Sequence, residues 1–91
     1  MISLEDCIAL CGLTEDEVLA IAEHEHIPEI VAASLGRYLL NTDHGAEQIR
    51  DMIRDDIRLS LDRKDTAHAS MLIQVLRQYT AAHPELRQPT A

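Results

Sequence analysis

The segment TEDEVLAIAEHEHIPE (residues 14–29) contains the signals that decide the fold. Thr14 and Glu17 have the spacing of a capping box, in which each side chain accepts a hydrogen bond from the other residue's backbone N–H. Pro28 suits the first turn of a new helix because it has no N–H to leave unpaired. It also holds Ile27 out of the helical conformation. The segment therefore predicts a helix that ends one or two residues before Ile27, a sharp corner, and a second helix.

Helical spacing and capping residues in the rest of the chain predict three more helices. A short one precedes Gly12, and a long one follows the loop at residues 41–45 and runs to about Arg63. The last begins after a cap at Asp65 or Thr66. No segment alternates apolar and polar residues as a strand would. We therefore predict an all-α fold, a compact bundle of about five helices in which the last two form a long antiparallel hairpin.

Apolar residues at helical spacing predict which side of each helix faces the core. After Pro28 the predicted inward residues are Ile30, Val31, Ser34, Leu35 and Tyr38. Gly36 lies within this helix and is expected where another helix approaches closely. In the two long helices the predicted inward residues are Ile49, Met52, Ile53, Ile57, Ser60 and Leu61, then Met71, Leu72, Val75, Leu76 and Tyr79.

The length and composition are those of one small globular domain. The chain has 91 residues, of which 46% are apolar, a fraction typical of folded rather than disordered proteins. We predict a single helical domain over residues 1–83 and a frayed polar tail over residues 84–91, which contains two prolines. A domain of this size has a modest core, so self-association as a homodimer is also expected.

The charge balance narrows the class of partner. Eight basic and sixteen acidic residues give a net charge of −8. This charge argues against nucleic acid, which attracts basic surfaces, and against an anionic membrane. The first residues carry acids where a signal peptide needs a basic segment, and no apolar run is long enough to span a membrane. We therefore expect a cytoplasmic protein whose partner is another protein, with a basic surface as the better fit.

Two pairs of residues have the spacing of metal ligands. Glu23 and His26 are three apart, as are Asp65 and His68, so each pair shares one face of a helix. Glu-x-x-His is the pattern with which di-iron helical bundles hold their metals. A carboxylate and an imidazole from each of two helices could therefore hold a transition metal. The simpler interpretation is that His24 and His26 are polar residues at a helix end, where an imidazole can bond free carbonyls and favours the negative end of the helix dipole.

Cys7, Cys11, His24 and His26 superficially follow the order of zinc-finger ligands. His-x-His is too short for the second pair of a finger, and no hairpin pattern surrounds the cysteines. We therefore expect the cysteines to behave as small apolar residues on a helix.

A capped helix, a corner and a second helix over residues 13–40 also predict a helix-turn-helix shape. Its second helix begins with an acid and has no side chain suited to reading bases before Arg37. In an acidic chain, we interpret the segment as an ordinary helical corner.

The remaining charged residues predict a solvated surface rather than a catalytic site. Arg50, Arg54 and Arg58 lie on one side of a helix, with acidic residues close enough in sequence to pair with them. Asp55 and Asp56 are neighbours that point about 100° apart, so we do not expect them to act as paired carboxylates. No nucleophile elbow or phosphate-binding loop is present in the sequence. We therefore do not expect an enzyme.

Three stretches carry a resemblance to known sequences. They are AIAEHEHIPEIVAA (residues 20–33), MIRDDI (residues 52–57) and the pair His83-Pro84. Together they resemble a family of small, uncharacterised, all-helical bacterial proteins, over nearly the whole chain. The resemblance implies a bacterial cytoplasmic protein with an all-helical fold. It implies no activity and no functional residues.

The sequence thus favours a small cytoplasmic helical module for protein interaction or regulation. The first alternative is a metal-binding helical protein that uses Glu23, His26, Asp65 and His68. The second is a DNA-binding protein of the helix-turn-helix type.

Overall fold

The computed structural model describes Asp6 and residues 12–87. It contains four α-helices and a short 3-10 turn, which are α1 (Glu15–Glu25), α2 (Glu29–Leu40), α3 (Gly45–Asp62), α4 (Thr66–Ala82) and the turn Pro84–Arg87. The all-α prediction is confirmed, with no strand in the described residues. The short helix predicted before Gly12 lies outside them, so the bundle described below has four helices.

The corner between α1 and α2 forms as its sequence predicts. The Thr14 hydroxyl accepts from the Glu17 N–H at 3.2 Å, and Glu17 Oε1 accepts from the Thr14 N–H at 2.9 Å, which completes the capping box. His26 follows α1 in the left-handed conformation, with φ 57°. The Ile27 N–H then bonds a carbonyl five residues back. Pro28 is extended and is the N-cap of α2, so the helix begins at Glu29, one residue later than predicted.

A three-residue turn joins α3 to α4. Lys64 has a φ of 61°, and two hydrogen bonds close the turn, from Lys64 N–H to Leu61 O at 3.0 Å and from Asp65 N–H to Ser60 O at 2.8 Å. Asp65 also caps α4, as predicted, because its Oδ1 accepts from the His68 N–H at 3.1 Å. The turn therefore satisfies the backbone groups that the two helix ends would leave unpaired.

Helices α3 and α4 pack against each other more extensively than any other pair of described helices. The hydroxyl of Tyr79, near the end of α4, donates to the carbonyl of Ala46, at the start of α3, at 2.7 Å. Because this contact joins the ends farthest from the connecting turn, the two helices lie side by side and run in opposite directions. Tyr79 is fully buried, and this burial raises the pKa of its phenol.

The inward face predicted for α2 is wrong except at Leu35, which packs against the core. Ile30, Val31 and Tyr38 are exposed, Tyr38 by 66%, whereas the buried residues include Ala32, Ala33 and Gly36. A Cβ at Gly36 would overlap the side chain of Leu13 and press on that of Ile21. The helix therefore turns its smallest residues toward the core so that α1 can approach closely, and this confirms the close approach predicted at Gly36.

Two further predicted core residues, Leu61 and Met71, are about half exposed. The buried stripe of α3 is instead formed by Ile49, Ile53, Asp56 and Ser60, at the alternating spacing of four and three that one helix face requires. Asp56 therefore lies in the buried stripe of α3, although the apolar pattern had predicted its neighbour Ile57 to face inward. The buried apolar cluster is formed by Leu13, Val18, Ala20, Ile21, Ala32, Ala33, Leu39, Ile49, Ile53, Leu72, Val75 and Tyr79.

The stretch that the sequence placed at the start of the tail forms the 3-10 turn. Leu86 packs against the core, and the ring of His83 lies 4.3 Å from that of Tyr79. Within the described part of the chain, no helix is at once long enough and apolar enough to span a bilayer.

Candidate functional site: an acidic cleft between three helices

An open cleft of about 590 Å³ lies where α1, α3 and α4 meet. We call it the acidic cleft and define it by Glu23 and His24 from α1, Asp55 and Asp56 from α3, and Asp65 and His68 at the start of α4. His26 and Arg63 also line it. Four carboxylates face one permanent cation among these lining residues of the described chain, so the cleft favours a positively charged occupant.

The contact between His68 and Glu23 links α4 to α1 across this cleft. His68 Nε2 lies 2.6 Å from Glu23 Oε1, and both side chains are partly exposed. The hydrogen bond with Glu23 raises the pKa of His68, and it outweighs the effect of burial; the charges of Glu23, Asp65 and Asp56 act in the same direction. His68 is therefore charged over a wider pH range than a free imidazole, and while charged it neutralises Glu23.

His24 links α1 to α3 in a similar way. Its Nδ1 lies 2.7 Å from Glu25 Oε2, and its Nε2 lies 3.5 Å from Asp55 Oδ2. Burial alone would lower the pKa of His24, but the hydrogen bonds with Glu25 and Asp55 and the negative charge of Asp56 together raise it. His24 lies in the last turn of α1, as the simpler interpretation predicted, but its ring nitrogens face carboxylates and not free carbonyls.

Asp56 is the least solvated acid of the cleft. Its exposure is 7%, and its Oδ2 is buried without a hydrogen-bond partner among the described residues. Burial raises the pKa of Asp56, the charge of His24 opposes this, and Glu23 and Asp55 add to it. The Glu23 carboxyl, which also raises the pKa of Asp56, supplies no donor while both groups are ionised, because two carboxylates have no proton to share. Either a proton or an external donor is needed to satisfy the pair.

The sequence did not identify Asp56 as a site residue. Asp55 and Asp56 were expected to point apart, yet both line the cleft. Asp55 lies at the rim, with its side chain 59% exposed, and Asp56 lies at the base. A cleft between three helices borders a wide part of the circumference of α3, so two consecutive residues whose side chains point apart can both line it. The sequence signal that could have identified Asp56 was its helical spacing, three residues after Ile53 and four before Ser60.

All four residues of the metal prediction line this one cleft. Glu23 and His68 contact each other, whereas the Asp65 carboxylate caps α4 and His26 lies in the corner after α1. Within residues 12–87, no three His, Cys, Asp or Glu side chains are grouped closely enough to hold a metal ion. Metal binding at these residues stays a prediction. The zinc-finger order includes Cys7 and Cys11, which lie outside the described residues.

Two arginines of the row on α3 have acidic partners in the described part of the chain. Arg50 Nε lies 3.2 Å from Asp51 Oδ1, and Arg58 lies 3.9 Å from Asp55. Both contacts are within α3, which agrees with a solvated face that carries pairs of opposite charge.

A second, smaller cavity of about 60 Å³ lies between α1 and α4 beside the acidic cleft. We call it the apolar notch and define it by Leu19 and Ala20 from α1 and Met71, Leu72 and Val75 from α4. Glu23 lines both the notch and the cleft. The two cavities are therefore neighbours that share one acidic residue.

The fold and the cleft describe a small all-helical protein. Comparison with models of protein families, with curated proteins and with solved structures found no match. The all-helical architecture that the sequence resemblance implied is confirmed, and membership of a bacterial family stays a prediction.

Proposed function

We propose that this protein is a small helical interaction module whose acidic cleft binds a basic side chain of a partner protein. The observation that carries the proposal is the Oδ2 atom of Asp56, which is buried without a donor at the base of an open cleft. A buried acceptor that lacks a partner costs about 1–3 kcal/mol, and more when it is charged. A ligand that brings N–H groups to this position would remove the penalty.

The chemistry of the cleft favours a guanidinium or ammonium group. An arginine side chain presents five N–H donors in a planar fork and can bond two carboxylates at once. Glu23 and Asp56 both line the cleft, and Glu23 influences the pKa of Asp56, so a single guanidinium could bridge them. The net charge of −8 would also speed the encounter with a basic partner at low salt.

A pair of short peptides tests the proposal. One carries a central arginine among glycines and serines, and the other carries citrulline, which has nearly the same shape and no charge. We expect the arginine peptide to bind at low salt, as measured by calorimetry or chemical-shift changes, and the citrulline peptide to bind at least about tenfold more weakly, as expected from the loss of a charged hydrogen-bonded pair.

Asp56→Asn should weaken binding of the arginine peptide by a similar factor. Asp62→Asn, on an exposed position of the same helix, is the matched control and should leave binding unchanged. Equal binding of the two peptides, or equal effects of the two variants, would contradict the proposal.

A transition metal is the second candidate occupant, because Glu23, His26, Asp65 and His68 line the same cleft. Metal binding would require the Glu23–His68 contact to open and the Asp65 carboxylate to leave its capping position. Metal analysis of protein equilibrated with zinc and then dialysed tests this candidate. Stoichiometric metal that is lost in both His26→Ala and His68→Ala supports it, and metal content that is unchanged in these variants contradicts it.

The structure adds no support for DNA binding through the helical corner. The second helix of that corner exposes Ile30 and Val31 as well as Tyr38, and the two aliphatic side chains offer base edges no hydrogen bonds. The same exposed residues are the natural place to look for the predicted self-association, which solution mass measurements can test.

A further inference from the structure

The apolar notch adjoins the acidic cleft, so an apolar surface continues directly into a charged one. Glu23 lines both cavities, and the notch holds a second acid, Asp16. Leu19 and Met71, on opposite walls of the notch, are 39% and 51% exposed. An apolar depression with acids beside it is therefore open to solvent next to the site proposed for a basic side chain.

We propose that the partner segment carries an aliphatic side chain close to its basic one, and that the aliphatic side chain enters the apolar notch while the basic one enters the acidic cleft. This inference rests on the proposed function of the cleft. The occupant is a protein segment in which arginine or lysine lies within four residues of leucine, isoleucine, valine or methionine.

The size and lining of the notch fit the end of one aliphatic side chain. Its volume of about 60 Å³ is roughly that of two water molecules in the liquid. Ala20, Leu72 and Val75 in its lining belong to the core, whereas Met71 is partly exposed and unbranched. Methionine adapts readily to the shape of a bound apolar group.

Charge complementarity selects the basic and aliphatic segment over a purely apolar one. Asp16 and Glu23 both line the notch, so a segment seated there would bring its flanking residues close to negative charge. Acidic neighbours would be repelled and basic neighbours attracted. A second copy of this chain is a weaker match, since its net charge is −8.

The affinity gain expected from the notch is modest and measurable. Full burial of a leucine side chain contributes roughly 1.5–3 kcal/mol, and the notch is open on one side. Half of this range corresponds to roughly a three- to tenfold change in affinity, with tenfold at its upper end.

The experiment uses the intact chain and a set of capped peptides. One peptide has arginine alone, one has leucine alone, and four have leucine placed one to four residues from the arginine. On the wild-type protein, we expect at least one arginine–leucine peptide to bind about tenfold more tightly than the peptide with arginine alone.

Leu19→Ser and Met71→Ser should abolish this tenfold gain and leave the affinity for the arginine-only peptide unchanged. Leu61→Ser replaces a similarly exposed residue on α3 and is the control, which should keep the gain. Both notch variants alter partly exposed residues, and circular dichroism checks that they remain helical.

The other possible outcomes contradict the inference, the proposed function, or both. If all arginine peptides bind equally, the inference fails while the proposed function of the cleft survives. If no arginine peptide binds, the proposed function fails and the inference fails with it. If the leucine-only peptide binds as tightly as the arginine–leucine peptides, the notch binds aliphatic side chains without help from the cleft, and the inference fails. Concentration-dependent dimerisation that Met71→Ser abolishes would assign the notch to a second copy of the chain.

Discussion

His68 Nε2 lies 2.6 Å from Glu23 Oε1, and this contact joins α4 to α1 at the acidic cleft. Both side chains are partly exposed, so solvent screens the pair and its contribution to stability is at most about 1 kcal/mol. Its greater importance is for binding. A charged His68 occupies the carboxylate oxygen that a basic ligand would need.

We expect affinity for the arginine peptide to rise severalfold between pH 6 and pH 8. His68 faces Glu23 from α1, Asp56 from α3 and Asp65 at its own helix start, and His24 faces Glu25, Asp55 and Asp56. The pKa values of both histidines are raised, and each imidazole stops competing with the ligand as pH rises through its pKa. The pKa of Asp56 is also raised, and its ionisation acts in the same direction.

Calorimetry at several pH values measures this affinity. Repetition in buffers of different ionisation enthalpy reports the proton released on binding. His68→Gln should flatten the profile, because the side chain at position 68 then no longer carries a charge that competes with the ligand for Glu23. Affinity that falls as pH rises would contradict this mechanism.

The stability of the unliganded protein should change with pH in the opposite direction. The pKa of His68 is higher in the folded protein than in the unfolded chain, so its contribution is fully present below about pH 6.5. The contribution is lost as pH rises through the folded value. The free energy of unfolding, measured with urea, should therefore be lower at pH 8 than at pH 6.

Glu23→Gln tests the source of this change. It removes the charge that holds the proton on His68, so the difference between pH 6 and pH 8 should shrink. A difference of unchanged size would show that other groups, His24 first among them, control the pH dependence.

Asp56→Asn should stabilise the folded protein at pH 7 by about 1 kcal/mol, the typical penalty of a buried group that lacks its partner. Asparagine has nearly the same shape and can donate to Glu23, which an ionised aspartate cannot do. Thermal unfolding of Asp56→Asn and of the exposed control Asp62→Asn measures the difference. A gain in stability that accompanies a loss of ligand binding is the signature expected of a binding residue, whereas a large loss of stability would assign Asp56 a structural role.

The secondary structure was largely predictable because its signals are local. The capping box at Thr14 and Glu17, the corner at Pro28 and the cap at Asp65 each involve residues within four positions of one another, and each forms as predicted. The inward face of α2 was not predictable in the same way. Size, rather than hydrophobicity, decides which side of that helix faces α1.

The candidate site was only partly predictable, because it depends on how three helices meet. The sequence singled out Glu23 and His68 by spacing, and they are in contact. Their spacing does not reveal that Asp56 lies beneath them, since helix periodicity gives the face of a residue and not its neighbour on another helix. The apolar notch was missed because Met71 was assigned to the core.

Gly45→Ala should destabilise the protein by roughly 2–4 kcal/mol, as expected when a substitution forces the backbone to shift. Gly45 is buried at the start of α3, and a Cβ there would overlap the carbonyl group of Leu39. A backbone carbonyl cannot rotate away as a flexible side chain can. Chemical unfolding measures the loss. Gln48→Ala, an exposed change in the same turn, should stay within about 0.5 kcal/mol of wild type, and equal effects of the two substitutions would contradict the close approach.

The hydrogen bond between Tyr79 and Ala46 has a consequence for motion. Together with the closed turn at Lys64, it fixes the pair α3 and α4 at both ends. Helix α1 is tied to this pair at the cleft through the side-chain contacts of His24 and His68. We therefore expect the cleft to widen mainly through motion of α1, because α3 and α4 are held to each other at both ends. Amide hydrogens of α1 should exchange with solvent sooner than those of α3 and α4.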